Sequence, residues 1–366
     1  MIIIHVLEPF SSGVTTAVSA ITRELTDFTH IVIHGSRNWT ESTEKVKLRF
    51  PQNVSFIEWK SAIREISIGK DLKALIELKR LLKPYKKQKA VVHLHSSKAG
   101  FLGRLTCRLL GIKTIIYTPH CGAFLRTDIS SIKRRMYRFF EWIGGCFGGR
   151  VVGCGKNECE IYNKLGKNAT YVSNGVLINN EKLENKNEEY KRNLISFSGI
   201  VSFQKDPALW NEIVSAALHD VQKEGYSFCW IGEGPLAEEL DRGNITVTGW
   251  KAAEEVQELL KKSAIYFSTA AWEGLPYGVL EAMNNGCALL LRDVPGNREL
   301  VISGENGWLF KTRKEACEKI VLMLKDKTLL ESMGKQSRKI IEQSYSLKQM
   351  GEGYRRIYKE TLERKK

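Results

Sequence analysis

The chain has 366 residues, 43% of them hydrophobic and 27% charged, which is ordinary globular material and long enough for two domains with sizeable cores. Its net charge of +15 favours an anionic partner: nucleic acid, a phosphorylated substrate or an acidic membrane surface. The eight cysteines form no C-x-x-C pair and no histidine cluster is evident beside them, which argues against a zinc site and for buried thiols in a reducing cytosol.

The N-terminal "MIIIHVLEPF" lacks the basic start and the apolar length of a signal peptide, and no apolar run approaches the ~20 residues of a spanning helix. "IIIHVL" reads as a first strand, followed by the loop "EPFSSG" and the amphipathic "VTTAVSAITREL". "HIVIHG", "VSFIEW", "AVVHLH", "TIIYTP", "RVVGC" and "ATYVSN" continue the series, mostly with helical patterns between them. These runs are apolar throughout, as strands buried on both faces of a parallel sheet are. The polar "INNEKLENKNEEYKRN" breaks the pattern and reads as a linker. A second series follows: "LISFSG", "SFCWIG", "ITVTG", "IYFSTA" and "ALLLRDV". From there the chain is expected to be helical to its end, with no further strand.

Ligands bind such sheets outside the carboxyl ends of the strands. The loop "FSSGVTTAV" is so placed, with Ser12 and Gly13 where backbone can approach a ligand and Val14 opening the helix. His95 closes "AVVHLH", with His93 alternating inward, and His120 follows "TIIYTP". Either histidine can pack or meet a ligand. The stretch 131–145, "SIKRRMYRFFEWIGG", interleaves Lys133, Arg134, Arg135 and Arg138 with aromatic residues, as suits an anionic membrane surface or a helix with a solvated basic face. The basic "KALIELKRLLKPYKKQK" precedes it, and no nucleic-acid reader motif is present.

In the second series, "EGLPYGVLEAM" sets Glu273 and Glu281 around a Gly-Leu-Pro turn and a helix start. The first free N–H groups of that helix, near Tyr277, Gly278 and Val279, suit a diphosphate. Glu281, about one turn in, can accept two ribose hydroxyl protons, and Glu273 can meet the hydroxyls of a sugar beyond the diphosphate. No D-x-D occurs, the sequence that would hold a divalent metal on a diphosphate.

This constellation resembles the family-4 glycosyltransferases, retaining sugar transferases of the GT-B fold. The E-x7-E of "EGLPYGVLEAM" carries most of the likeness, with "VTGW", "DVPGNRELV" and "VSNGV" in support. "SSKAGFLGRL" and "YTPHCGAFLRTD" resemble bacterial members that build O-antigen or capsule units on a lipid carrier. The resemblance implies that Glu281 holds the nucleotide ribose, that Glu273 contacts the donor sugar and that His120 lies beside that sugar. It implies donor contacts from Gly13, Gly199, Lys205, Gly274, Leu275, Tyr277, Gly278 and Val279, with Lys205 on the leaving diphosphate. Family members pair that lysine with an arginine where this chain has Ile200. Arg292 is a candidate substitute cation, and Ser12, His95 and Arg126 are candidates for the acceptor side.

The expectation is therefore two Rossmann-like, doubly wound parallel-sheet domains facing a central cleft, with residues 1–178 binding the acceptor and meeting the membrane, 179–193 as linker, 194–345 binding the nucleotide sugar, and a helix at 346–366 that crosses back. The expected activity is retaining transfer of a hexose from a UDP-linked donor to a lipid-linked saccharide. It would take place in the cytoplasm on the inner face of the plasma membrane, with no metal, no other cofactor and no nucleic acid. The rival readings are a nucleotide-sugar epimerase or hydrolase of the same fold, and a non-catalytic membrane-bound scaffold, for which Ile200 is the best support.

Overall fold

The computed structural model describes residues 1–36, 42–178 and 192–363. The chain divides into two compact units, one formed by the residues up to Gly175 together with those from Leu347 onward, the other by Val176–Ser346. The expected linker at 179–193 lies, but for its last two residues, outside the described residues.

In the first unit the strands are β1 (Ile2–Leu7), β2 (Thr29–His34), β3 (Val54–Glu58), β4 (Ala90–His95), β5 (Ile115–Thr118), β6 (Arg150–Gly153) and β7 (Thr170–Tyr171). The helices are α1 (Ser12–Glu24), α2 (Thr43–Lys47), α3 (Ile68–Leu82), α4 (Ser97–Leu110), α5 (Ser131–Cys146) and α6 (Lys156–Asn163). The sheet is parallel throughout, in the order β3-β2-β1-β4-β5-β6-β7. Ile4, Val6, Ile33, Val92, Leu94 and Ile115 are buried in it, as apolar strands covered by helices on both faces must be. Helix α4 lies close on this sheet because Gly100 and Gly103 have no side chain: a Cβ on them would run into the Tyr117 ring and the Leu94 side chain.

The second unit contains β8 (Leu194–Ser198), β9 (Ser227–Ile231), β10 (Ile245–Val247), β11 (Ser263–Ser268), β12 (Ala288–Arg292) and β13 (Gly307–Phe310). Its helices are α7 (Pro207–Lys223), α8 (Ala253–Lys261), α9 (Tyr277–Asn284), α10 (Pro295–Arg298), α11 (Arg313–Lys325) and α12 (Lys327–Ser344). The parallel order is β10-β9-β8-β11-β12-β13. The edge strand β13 corrects the expectation that no strand follows "ALLLRDV". Four residues opened by a glycine carry little strand signal, yet they pair with β12 in register from Leu289↔Gly307 to Arg292↔Phe310. The core of this unit is aromatic: Trp210 contacts Phe197, Phe228, Trp230 and Phe267, at centroid separations from 4.7 to 6.2 Å. Each such ring buries on the order of 150–250 Å².

The last helix, α13 (Leu347–Glu363), belongs to the first unit. There Arg355 grips Asp27 through two bonds of 2.6 and 2.7 Å, and the Tyr358 hydroxyl bonds His93 Nδ1 at 2.8 Å. In each sheet the strand order reverses once beside the first strand, between β1 and β4 and between β8 and β11. Loops diverge at such a point and leave a crevice at the strand ends.

Candidate functional site

At the β8/β11 switch, the loop leaving β8 runs close to the turn after β9. A Cβ on Gly232 would overlap the Gly199 carbonyl, and one on Gly234 would overlap that of Val201. The two turns thus need glycines where backbone meets backbone. The β8 loop ends at Asp206, which holds φ at +53° and caps α7 by accepting from Leu209 N–H at 3.2 Å. A non-glycine residue in that conformation costs roughly 1–3 kcal/mol and is kept where the surroundings enforce it. Thr269 Oγ1 supplies part of that enforcement, donating to the Lys205 carbonyl at 2.7 Å.

This geometry delivers Lys205 to Glu273. The ammonium pairs with Glu273 Oε1, while Gln204 Nε2 donates to Oε2 at 3.3 Å and to the Trp272 carbonyl at 2.9 Å. Glu273 is 8% exposed, so its carboxylate meets these partners in place of water. Glu281 lies on α9, whose Gly278 sits against the Ser198–Tyr266 pair. The Tyr266 hydroxyl is 3.0 Å from Ser198 Oγ, and burial, with Glu281 and Glu273 nearby, pushes its pKa up. The phenol therefore stays protonated. A Cβ on Gly296 would overlap the Gly274 carbonyl, so the "DVPGN" loop closes directly on the turn that carries Glu273. Leu275 and Val279 bury their side chains, which leaves them only backbone groups to offer a ligand.

Arg292 departs from expectation. Its NH1 binds Asp206 Oδ2 at 2.6 Å and the Thr269 carbonyl at 3.2 Å, so the guanidinium braces the β8 loop and is not a cation held in reserve for a diphosphate. Ile200 packs its side chain toward Gly234.

The corresponding edge of the first unit concentrates left-handed backbone. Ser12 (φ +57°), Ser96 (+69°), His120 (+51°) and Cys121 (+71°) follow β1, β4 and β5. At the first of these the conformation falls on Ser12 and not on Gly13, and α1 begins at Ser12 and not at Val14. The turn at 120–121 is held by buried Glu158, whose Oε1 accepts from Cys121 N–H at 2.6 Å and whose Oε2 accepts from Cys154 N–H at 2.8 Å. Burial raises the pKa of Glu158, against those two bonds.

The first unit holds a histidine cluster, without cysteines, that the sequence did not reveal. His30 Nε2 meets the Leu25 carbonyl at 2.9 Å, and His30 Nδ1 meets His5 Nε2 at 3.2 Å. His5 Nδ1 meets His95 Nε2 at 3.1 Å, and His95 Nδ1 meets His120 Nε2 at 3.0 Å. The parallel register sets His5 opposite His93 and Leu7 opposite His95, which brings distant strands' imidazoles together. His95 is fully buried with both ring nitrogens bonded, so it cannot touch an acceptor as proposed from the sequence. Desolvation lowers the pKa of His120 to about 4 and takes those of His5, His93 and His95 well below their usual value. His5, His93 and His95 each have a nitrogen within 4.8 Å of the others, a spacing open to a metal ion, although both nitrogens of every one of these rings are already in hydrogen bonds. Arg126 stands apart, forked onto Asp128 at 2.9 and 2.6 Å.

The second unit thus brings together Gly199, Lys205, Glu273, Gly274, Gly278 and Glu281, and the first unit gathers Ser12, Gly13 and His120. Sequence reasoning missed His5, His30, Glu158, Gln204, Gly232 and Gly234. "GEG" at 232–234 was the one local signal among them.

Two family models match the chain: "Glycosyl transferases group 1" over residues 179–340 and "Glycosyl transferase 4-like" over 39–141. The chain is similar to the UDP-Gal:alpha-D-GlcNAc-diphosphoundecaprenol alpha-1,3-galactosyltransferase of Escherichia coli, 29% identical over 78% of each chain. It is also similar to the N,N'-diacetylbacillosaminyl-diphospho-undecaprenol alpha-1,3-N-acetylgalactosaminyltransferase of Campylobacter jejuni, 27% identical over 52% of this chain and 54% of that one. Among solved structures, Anabaena Alr3699/HepE in complex with UDP-glucose superposes with a TM-score of 0.76 at 14% identity over 100% of both chains, a likeness of fold.

Proposed function

Since the chain belongs to the group 1 glycosyltransferases of the GT-B fold, with a family-4-like segment in its first unit, we propose that it transfers a hexose, with retention of configuration, from a UDP-linked donor to a lipid-linked saccharide in O-antigen or capsule synthesis. The observation that carries this reading is the Lys205–Glu273 pair beside the Gly-Leu-Pro turn and the start of α9. An incoming diphosphate competes with Glu273 for Lys205 and meets the N-terminal N–H groups of α9. Glu273, so released, turns to the donor sugar's hydroxyls, while Glu281 takes the ribose. The acceptor hydroxyl attacks from the face the diphosphate leaves, and the departing phosphate oxygen takes its proton, so no protein nucleophile is needed. Lys205 and the helix N-terminus stabilise the leaving charge, which suits a chain without D-x-D. The uridine and the undecaprenol-type acceptor rest on the names of the relatives.

The membrane side of the proposal rests on α5. Its buried residues are Glu141 and Gly144, with Glu141 bound to Arg104 and Tyr117, while Ile132, Phe139 and Trp142 stand exposed among the arginines. Arg135, Arg138, Phe139, Trp142, Lys164 and Leu165 line a groove of about 420 Å³. A helix that buries a carboxylate and shows its aromatics is suited to an anionic headgroup layer. Among the described residues no helix is long and apolar enough to cross a membrane.

The test is a thermal-shift panel of nucleotide diphosphates and nucleotide sugars, followed by turnover with and without an undecaprenyl-diphosphate-linked sugar in anionic vesicles. Stabilisation by UDP-sugars and product only with acceptor are expected. Sugar release or epimerisation without acceptor would favour a hydrolase or epimerase, and donor binding without any product would favour a scaffold. Arg134, Arg135 and Arg138 changed together to Glu should release the protein from the vesicles, each having contributed about 1 kcal/mol.

A further inference from the structure

We infer that His30, His5 and His95 are positioning residues that fix the tautomer of His120, so that its Nδ1 presents a lone pair at the strand-end edge of the first unit, accepting a hydrogen bond from a hydroxyl and offering none to a phosphate oxygen. The Leu25 carbonyl can only accept, so His30 Nε2 must carry the hydrogen of their 2.9 Å bond. A neutral imidazole has one N–H, which leaves His30 Nδ1 bare. His5 Nε2, 3.2 Å away, is then the donor, and His5 Nδ1 is bare. The same step repeats at 3.1 Å from His95 Nε2 and at 3.0 Å from His120 Nε2. Four rings on four adjacent strands or strand ends therefore carry their hydrogens on Nε2, and the last one shows Nδ1.

The step requires each ring to be neutral. Burial provides this, holding His30 and His120 below and His5 and His95 well below the ordinary histidine pKa. His93 is a control within the same sheet. Its nitrogens meet the hydroxyls of Tyr358 and Thr118, which donate or accept, so nothing sets its tautomer. His120 is half-buried, and its Nδ1 has no hydrogen bond among the described residues. Its left-handed backbone, fixed through the neighbouring Cys121 N–H by Glu158, holds the ring at the edge of the sheet. A phosphodiester oxygen has no hydrogen to offer a bare Nδ1, whereas a sugar hydroxyl does. The sugar as ligand rests on the proposed function, but the tautomer does not.

The test begins with the full chain, ¹⁵N-labelled at histidine, at pH 7 and without substrate. Long-range ¹H–¹⁵N correlation should find His120 protonated at Nε2 with a bare Nδ1. An Nδ1–H tautomer would overturn the inference whatever the protein's activity. His95 is then replaced in two ways. In His95→Asn, Oδ1 stands where Nδ1 stood and still accepts from His120. In His95→Gln, the amide reaches toward His5 and leaves His120 Nε2 without its acceptor. The glutamine variant should show mixed tautomers at His120 and about tenfold lower kcat/KM than the asparagine variant, the worth of one hydrogen bond. Equal activities would overturn the positioning role. If both variants fail to fold, the wild-type spectrum still decides the tautomer. Zinc in the purified protein whose removal shifts the His5 and His95 resonances would also overturn it, since ligating nitrogens carry no hydrogen.

Discussion

At the strand-end edge of the second unit stand paired ions, Lys205 with Glu273 and Arg292 with Asp206, whereas in the first unit a row of imidazoles joined nitrogen to nitrogen crosses the sheet from His30, near the start of β2, to His95 and His120 at the strand ends. Both edges follow the same reversal of strand order, so topology places them alike. Their chemistry differs because the Lys205–Glu273 pair can exchange partners when a charged ligand arrives, while a chain of single N–H donors keeps one arrangement. Under the proposed function the second edge takes the diphosphate and the first an uncharged hydroxyl.

Acid should separate the two edges most strongly. His5, His93 and His95 are fully buried and held neutral, whereas an unfolded chain protonates them below about pH 6.5. Their folded-state pKa values are depressed, so the unfolded state binds more protons as pH falls. Stability of the first unit is full above pH 6.5 and declines below it by about 1.4 kcal/mol per pH unit for each histidine. The second unit has no buried histidine among its described residues. Hydrogen exchange at pH 7 and pH 5 should show protection lost first in β1, β4 and β5. Earlier loss in β8 and β11 would break the comparison.

Next in size is Lys205→Met, which leaves Glu273 without its cation and the diphosphate without its lysine. Turnover should fall by about 10²–10³-fold, the scale for one lost electrostatic contact to a developing anion. An unchanged kcat would mean that the pair braces the loop only. Glu281→Ala should weaken donor binding by about 1.5–3 kcal/mol, the value of hydrogen bonds to a charged group. Calorimetry showing unaltered donor affinity would reject the ribose assignment.

How much of this was legible in the sequence follows from distance along the chain. Glu273, Gly274, Gly278 and Glu281 fall within one turn and helix, and their spacing showed. Among the described residues twelve of the thirteen strands showed as apolar runs, and β13 did not because four residues carry too little pattern. The histidine chain was hidden because its bonds join residues 25 and 90 positions apart and depend on strand register. Arg292 was misjudged for the same reason: Asp206, 86 residues away, gave no local sign that it would claim the guanidinium.

That misjudgement gives the smallest expected effect. Because Arg292 is held by Asp206 and the Thr269 carbonyl, a double-mutant cycle of Ile200→Arg with Arg292→Ala on kcat/KM should show coupling below about 0.5 kcal/mol. Larger coupling would mean that Arg292 leaves Asp206 to serve the diphosphate, and would make the ions of this edge more exchangeable still.

Transfer with retention, driven by Lys205 and a helix N-terminus, has a direct readout in the product's anomeric carbon. NMR of the product formed from a ¹³C1-labelled UDP-hexose and an undecaprenyl-diphosphate-linked acceptor, in excess EDTA, tests it most directly. The account predicts product at an undiminished rate with the donor's anomeric configuration. An inverted product, or activity lost to chelation and restored by Mn²⁺, would contradict it.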